Sequence, residues 1–180
     1  SMIDACTKIT QLIRALPKFD YQFDENLIPK NGIYFIFEKG EYGHEGERIV
    51  RIGTHTGPNQ LRSRLKQHFV NINKDRSIFQ KNIGRAILNR SNDDFIKDWN
   101  IDLTSKKNRD EHRGRIDEKK LQNIQDQVSS YIQQHFSFVV FGVENKDDRL
   151  KYESRLIATI AKCKTVSYTH LRAHETDSYL

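Results

Sequence analysis

The chain is poor in the residues that cross-link, interrupt or anchor a fold. It carries two cysteines, three prolines, one tryptophan and one methionine in 180 residues. Cys6 and Cys163 stand near opposite ends, which excludes both a disulfide-rich scaffold and the paired spacing of a zinc site. A reduced intracellular protein is the simpler reading, and a cytoplasmic location is expected. No apolar run approaches the roughly 20 residues that span a bilayer, and no signal-peptide pattern is present, so no membrane role is expected. Hydrophobic residues make up 36% and charged residues 30%. Such a composition predicts a compact core under a strongly solvated surface. Acidic excess is also absent: the net charge is +6, which favours an anionic partner, nucleic acid being the commonest. Mildly basic soluble domains are frequent, so charge alone decides little.

What is present is a mixture of strand and helix patterns without repeats. "IDACTKITQLIRAL" spaces Ile3, Ile9, Leu12, Ile13 and Leu16 as a helix, which Pro17 stops. "GIYFIFE" (Gly32 to Glu38) and "ERIVRIG" (Glu47 to Gly53) read as a hairpin with an exposed connection, "KGEYGHEGE". Helices follow at "GPNQLRSRLKQHF", "SIFQKNIGRAIL" and "DDFIKDW". Ser105 to Arg115, "SKKNRDEHRGR", has no apolar residue and reads as a loop. "DEKKLQNIQDQVSSYIQQHF" is a long amphipathic helix, "FSFVVFGV" a central strand, and "KDDRLKYESRLIATIAKC" a final helix with acidic residues at its start. The predicted class is α+β: a small sheet with helices packed on it.

Six residues carry chemistry worth weighing. Glu153 falls in the middle of the apolar stripe of its helix, between Leu150, Ile157 and Ala161 on one side and Leu156 and Ile160 on the other. A carboxylate there needs a partner: a core-facing arginine or a bound cation. Arg64 and His68, four apart, share a helix face, as a solvated pair or as a phosphate-gripping guanidinium beside a proton-moving imidazole. Tyr34 alternates with Ile33, Phe35 and Phe37, pointing to the opposite face with Ile36, as a packed aromatic or a functional one. Arg51 interrupts a β-branched strand and faces either solvent or an anion. His55 sits just past the strand end, where functional loops leave sheets.

The order of these signals is more specific than any one of them. A "GIY" strand, a second strand ending in "IG", an Arg-x-x-x-His helix and a Glu on a core-facing helix resemble the GIY-YIG nuclease superfamily. The resemblance covers about Asn31 to Lys162, and "RIVRIGTH", "SIF" and "GRAIL" are similar to a bacterial subgroup with arginine in the second motif. It implies a small central, mainly three-stranded sheet flanked by helices. It also implies a DNA endonuclease using Mg²⁺ (or Mn²⁺), with a restriction-like role among the expectations. By position, Tyr34 matches the tyrosine of the first motif, Gly53 the glycine of the second and Arg64 the catalytic arginine. His68 matches the histidine of restriction enzymes in the superfamily, and Glu153 the single metal-holding acid. Arg51 replaces the usual second tyrosine. A guanidinium cannot serve as a general base but can stabilise a tyrosinate or grip a phosphate. The general base is left open between Tyr34 and His68. His55, with Lys106, Lys107, Arg109, Arg113 and Arg115, is expected to contact the DNA backbone. A catalytically silent nucleic-acid-binding module of the same fold is the alternative.

"VSYTHLRAHET", Val166 to Thr176, resembles a translated transposase adaptor used in shotgun, including metagenomic, sequencing, and shows no structural periodicity. The expected organisation is therefore an N-terminal helical extension over residues 1–30, a nuclease domain over 31–165 that lacks its native C-terminus, and a non-native tail over 166–180.

Overall fold

The computed structural model describes residues 1–43 and 46–167. Helix α1 (Met2–Arg14) leads through a 3₁₀ turn (Glu25–Leu27) into strands β1 (Gly32–Gly43) and β2 (Gly46–Gly53). Helices α2 (Leu61–Phe69), α3 (Ile78–Arg90), α4 (Ile96–Trp99), α5 (Lys106–His112) and α6 (Glu118–His135) follow. Strand β3 (Phe136–Gly142) and helix α7 (Lys146–Ser167) complete the described chain. The sheet is three-stranded and antiparallel, in the order β2-β1-β3. This is the expected α+β class.

Alternation along β1 divides the core into two layers. Ile33, Phe35 and Phe37, with Ile49, Ile52 and Val139, pack against Ile13 of α1 and Ile160 of α7. Tyr34 and Ile36 point to the other face, with Leu61, Leu65 and Phe69 of α2, Phe79 and Ile83 of α3, and Val128 and Ile132 of α6. The register pairs Tyr34 with Gly53 and Ile36 with Arg51, and a shift follows between Ile36 and Phe37. Two motif glycines are required by close approach. A Cβ on Gly32 would lie 3.1 Å from the Phe141 carbonyl carbon and nearer still to its oxygen. One on Gly53 would lie 2.8 Å from Cε2 of Tyr34 and nearer still to Cζ and Oη.

Four local expectations change. The hairpin strands run on to Gly43 and from Gly46, so most of the supposed connection is strand, pairing Tyr42 with Glu47 and Gly43 with Gly46, and His44 and Glu45 lie outside the described residues. Ser105–Arg115 is not a loop but holds the short helix α5. Ser105 accepts the Asn108 N–H as its N-cap, and Arg109 donates to the carbonyls of Leu103 and Thr104. The apolar stripe of α7 is narrower than its sequence suggests: Leu156 is half-buried and Ile160 buried, but Ile157 and Ala161 are exposed. Finally, Cys6 on α1 and Cys163 on α7 are not isolated thiols. They form a buried pair with Cα atoms 6.3 Å apart, within the range of a disulfide. Of the adaptor-like segment, Val166 and Ser167 continue the backbone of α7, and the remainder lies outside the described residues.

Candidate active site

Backbone pins hold the two glycine motifs together. Thr54 Oγ1 donates to the Gly32 carbonyl at 2.7 Å, and Gly32 N–H donates to His55 Nε2 at 3.1 Å. His55 Nδ1 faces the Gly57 carbonyl at 2.7 Å, and a carbonyl only accepts, so Nδ1 carries the proton. Burial lowers the His55 pKa, opposed by that bond, with Arg149 and Arg64 adding to the lowering. The ring is a neutral latch with both nitrogens committed, which leaves no donor for a DNA phosphate. Asn31 Oδ1 accepts the Asn59 N–H and its amide donates to Asn59 and Glu144. Asn59 itself adopts φ 59°, a left-handed conformation that asparagine tolerates. Together these bonds hold the β2–α2 turn against the start of β1 and the end of β3.

On that frame, Tyr34 from β1 meets His68 from α2, Oη to Nε2 at 2.7 Å, with both residues 0% exposed. His68 Nδ1 lies 2.6 Å from Ser77 Oγ, the buried N-cap of α3. Burial first, and the charges of Arg51 and Arg64 second, hold the His68 pKa well below the imidazole range, so the ring is neutral. Arg64 is half-buried and donates to Gln67 Oε1 on its own helix at 3.0 Å. Arg51 is half-buried, and its Nε is a buried donor with no partner among the described residues. Glu153 of α7 is half-buried too. Burial raises its pKa, while the Arg51 charge and a hydrogen bond from the Thr54 backbone N–H pull it back. Arg51 thus acts electrostatically on both His68 in one helical layer and Glu153 in the other.

The fold therefore gathers Tyr34, Arg51, Arg64, His68 and Glu153 around the end of β2. Three of the basic residues in Ser105–Arg115 are tied locally. Arg109 bonds two carbonyls, Arg113 pairs with Glu118 at 3.5 Å and Arg115 donates to His112. Lys106 and Lys107 are exposed. Sequence reasoning missed Asn31, Thr54, Ser77 and Arg149. Arg149 is 2% exposed and donates from Nη1 to the carbonyls of Val143 and Glu144, closing the turn before α7. Ser77 had one readable signal, a serine directly before an apolar-periodic run, which marks a helix cap but not a histidine partner.

A family model of the GIY-YIG domain matches residues 3–174, a span that includes all of α1 but Met2, and the chain belongs to the GIY-YIG domain family, a family of nucleases that generally use divalent metal ions. No curated protein and no solved structure matches the chain. No helix among the described residues is long and apolar enough to cross a membrane.

Proposed function

We propose that this protein is a DNA endonuclease that hydrolyses phosphodiester bonds with one Mg²⁺ (or Mn²⁺), in a restriction-like role in the cytoplasm. The observation that carries this reading is the convergence of two guanidinium groups, Arg51 and Arg64, on a buried Tyr34–His68 pair beside a half-buried carboxylate. A buried, unpartnered Arg51 Nε costs free energy that an arriving phosphate oxygen would recover.

The donor set fits a magnesium ion. The described residues contain no group of three or more His, Cys, Asp or Glu side chains suited to a metal, so an ion at Glu153 would have few protein ligands. Magnesium keeps several waters and takes only one or two protein carboxylates, so a single glutamate suffices. When bound, it would supply Lewis-acid stabilisation of the leaving oxygen. The chain's own residues do the rest. Arg64 and Arg51 grip the phosphoryl oxygens as charge builds on them. The proton of the attacking water passes to the Tyr34–His68 pair. Lys106 and Lys107 extend a sequence-blind backbone grip, and His55 serves as the latch that positions the motifs rather than as a DNA contact. The working unit is residues 31–165, with the 1–30 segment packed on it through α1.

A second reading, a catalytically silent DNA-binding module, is favoured by one observation: Tyr34 and His68 are sealed from solvent. Plasmid cleavage with and without Mg²⁺, comparing the chain with Glu153→Ala, tests the two. Cutting that requires both the ion and Glu153 supports the nuclease. Salt-sensitive DNA binding without cutting supports the silent module.

A further inference from the structure

The two helical layers on the sheet are unequal. On the Tyr34 face, buried hydrophobic residues come from α2, α3, α4 and α6 as well as from the strands. On the other face, among the described residues, the strands pack against only two buried members of that cluster from helices, Ile13 of α1 and Ile160 of α7. Leu12 and Ile157 of the same two helices are exposed. Helix α7 nevertheless brings Glu153 to the Thr54 N–H, so a thin layer holds a residue of the candidate site.

Cys6 and Cys163 meet within that layer. They are 0% and 4% exposed, with Cα atoms 6.3 Å apart, and they join helices across 157 positions of sequence. Cys6 Sγ also lies 3.8 Å from the Thr159 carbonyl oxygen. A thiol at Cys6 therefore keeps a weak acceptor on α7 when the bond to Cys163 is absent, and both redox states fit one packing. In the reducing cytoplasm proposed above, disulfides are rare and mostly transient or redox-sensing. A layer held by few buried side chains opens locally at lower cost than the rest of the fold. Lifting α1 from α7 gives a small thiol access to the two sulfurs.

We propose that Cys6 and Cys163 are a reversible thiol–disulfide switch that sets how firmly α7, and with it Glu153, is held on the sheet. The oxidant is a low-molecular-weight disulfide such as oxidised glutathione. One cysteine thiolate attacks a glutathione sulfur, forming a mixed disulfide and releasing one glutathione thiolate. The second cysteine thiolate attacks the protein sulfur of that mixed disulfide, so the Cys6–Cys163 bond forms and the second glutathione leaves. Two electrons pass from the protein pair to the glutathione disulfide, and the two thiol protons end on the two glutathione thiols. Excess reduced glutathione runs the exchange backwards. The switch presupposes the cytoplasmic setting but not the nuclease reaction.

The test equilibrates the folded chain in glutathione mixtures from mostly reduced to mostly oxidised, traps free thiols with iodoacetamide and counts them by mass spectrometry. Both cysteines are expected to pass between trapped and untrapped, in either direction, without denaturant. Hydrogen–deuterium exchange is then followed on the two end states. Oxidation should slow amide exchange in α1 and α7 by about 10-fold or more, with α3 and α6 changed little. The Cys6→Ala, Cys163→Ala protein should show the reduced-state exchange in every mixture. A pair that remains dithiol in oxidised glutathione overturns the switch, as does a disulfide that excess reduced glutathione cannot open in the folded protein. A redox change that slows exchange equally throughout the chain, or leaves α1 and α7 unchanged, also overturns it. So does a double variant whose exchange still follows the glutathione mixture.

Discussion

Gly53→Ala probes the closest packing in the site. The added methyl carbon would meet Cε2 of Tyr34 at 2.8 Å, with Cζ and Oη nearer still. To reach the roughly 3.5–4.0 Å at which carbon atoms pack, the ring must retreat by about 1 Å. The 2.7 Å bond from Tyr34 to His68 would stretch beyond hydrogen-bonding range. Overpacking costs about 1–3 kcal/mol, and a buried polar group left unpaired about 1–3 kcal/mol more. Gly53→Ala should therefore lose about 2–6 kcal/mol, a large share of the about 5–15 kcal/mol that stabilises a typical domain. Tyr34→Phe already lacks the hydrogen bond, so in that background Gly53→Ala should cost only the packing part, leaving a coupling of about 1–3 kcal/mol. Urea unfolding followed by fluorescence of the single tryptophan, the buried Trp99, measures each corner of the cycle. Strict additivity, or a Gly53→Ala protein as stable as wild type, would refute the claim that this glycine exists to seat Tyr34.

Three further outcomes are expected. Arg64→Ala should reduce DNA cleavage by about 10²–10³-fold with little loss of stability, because it removes a donor to the charged transition state; cutting at the wild-type rate rules out that role. Because the folded pKa of His68 is depressed, the unfolded chain binds its proton first. Its contribution to stability is therefore complete above its unfolded value of 6.5 and declines as pH falls below that, by up to about 1.4 kcal/mol per pH unit until the folded pKa is reached. Urea unfolding across this window should show a slope that His68→Gln flattens, and an unchanged slope counts against it. Oxidation of Cys6 and Cys163 closes a loop of 157 residues and should stabilise the protein by about 2–5 kcal/mol over the dithiol form. Thermal unfolding with and without a thiol reductant, with Cys6→Ser as control, reads this directly, and equal melting temperatures would dismiss the cross-link.

Much of the fold was written in local patterns. Alternation along "GIYFIF" assigned Ile33, Phe35 and Phe37 to one face and Tyr34 and Ile36 to the other because strand side chains have a period of two. Helical spacing placed Leu61, Leu65 and Phe69 on the buried face of α2, and with them Arg64 and His68 one turn apart. Short-range periodicity determines such features, so the sequence alone sufficed for the class and for most elements, whereas the five residues of the candidate site were singled out only with the help of the family resemblance. Where it failed, the deciding interaction joins distant parts of the chain or lies in capping rather than hydrophobicity. Helix α5 has no apolar stripe and forms through its Ser105 cap and the carbonyl bonds of Arg109. The cysteine pair exists only because α1 and α7 lie together under one sheet face. The neutral state of His68, the latch role of His55 and the orphan donor of Arg51 depend on burial and on charges brought near by packing, which no residue type announces. Sequence determined which groups were available for chemistry. The tertiary structure decided which of them are enclosed, what each one faces and where each proton sits, because desolvation and hydrogen-bond geometry arise only once the layers have closed.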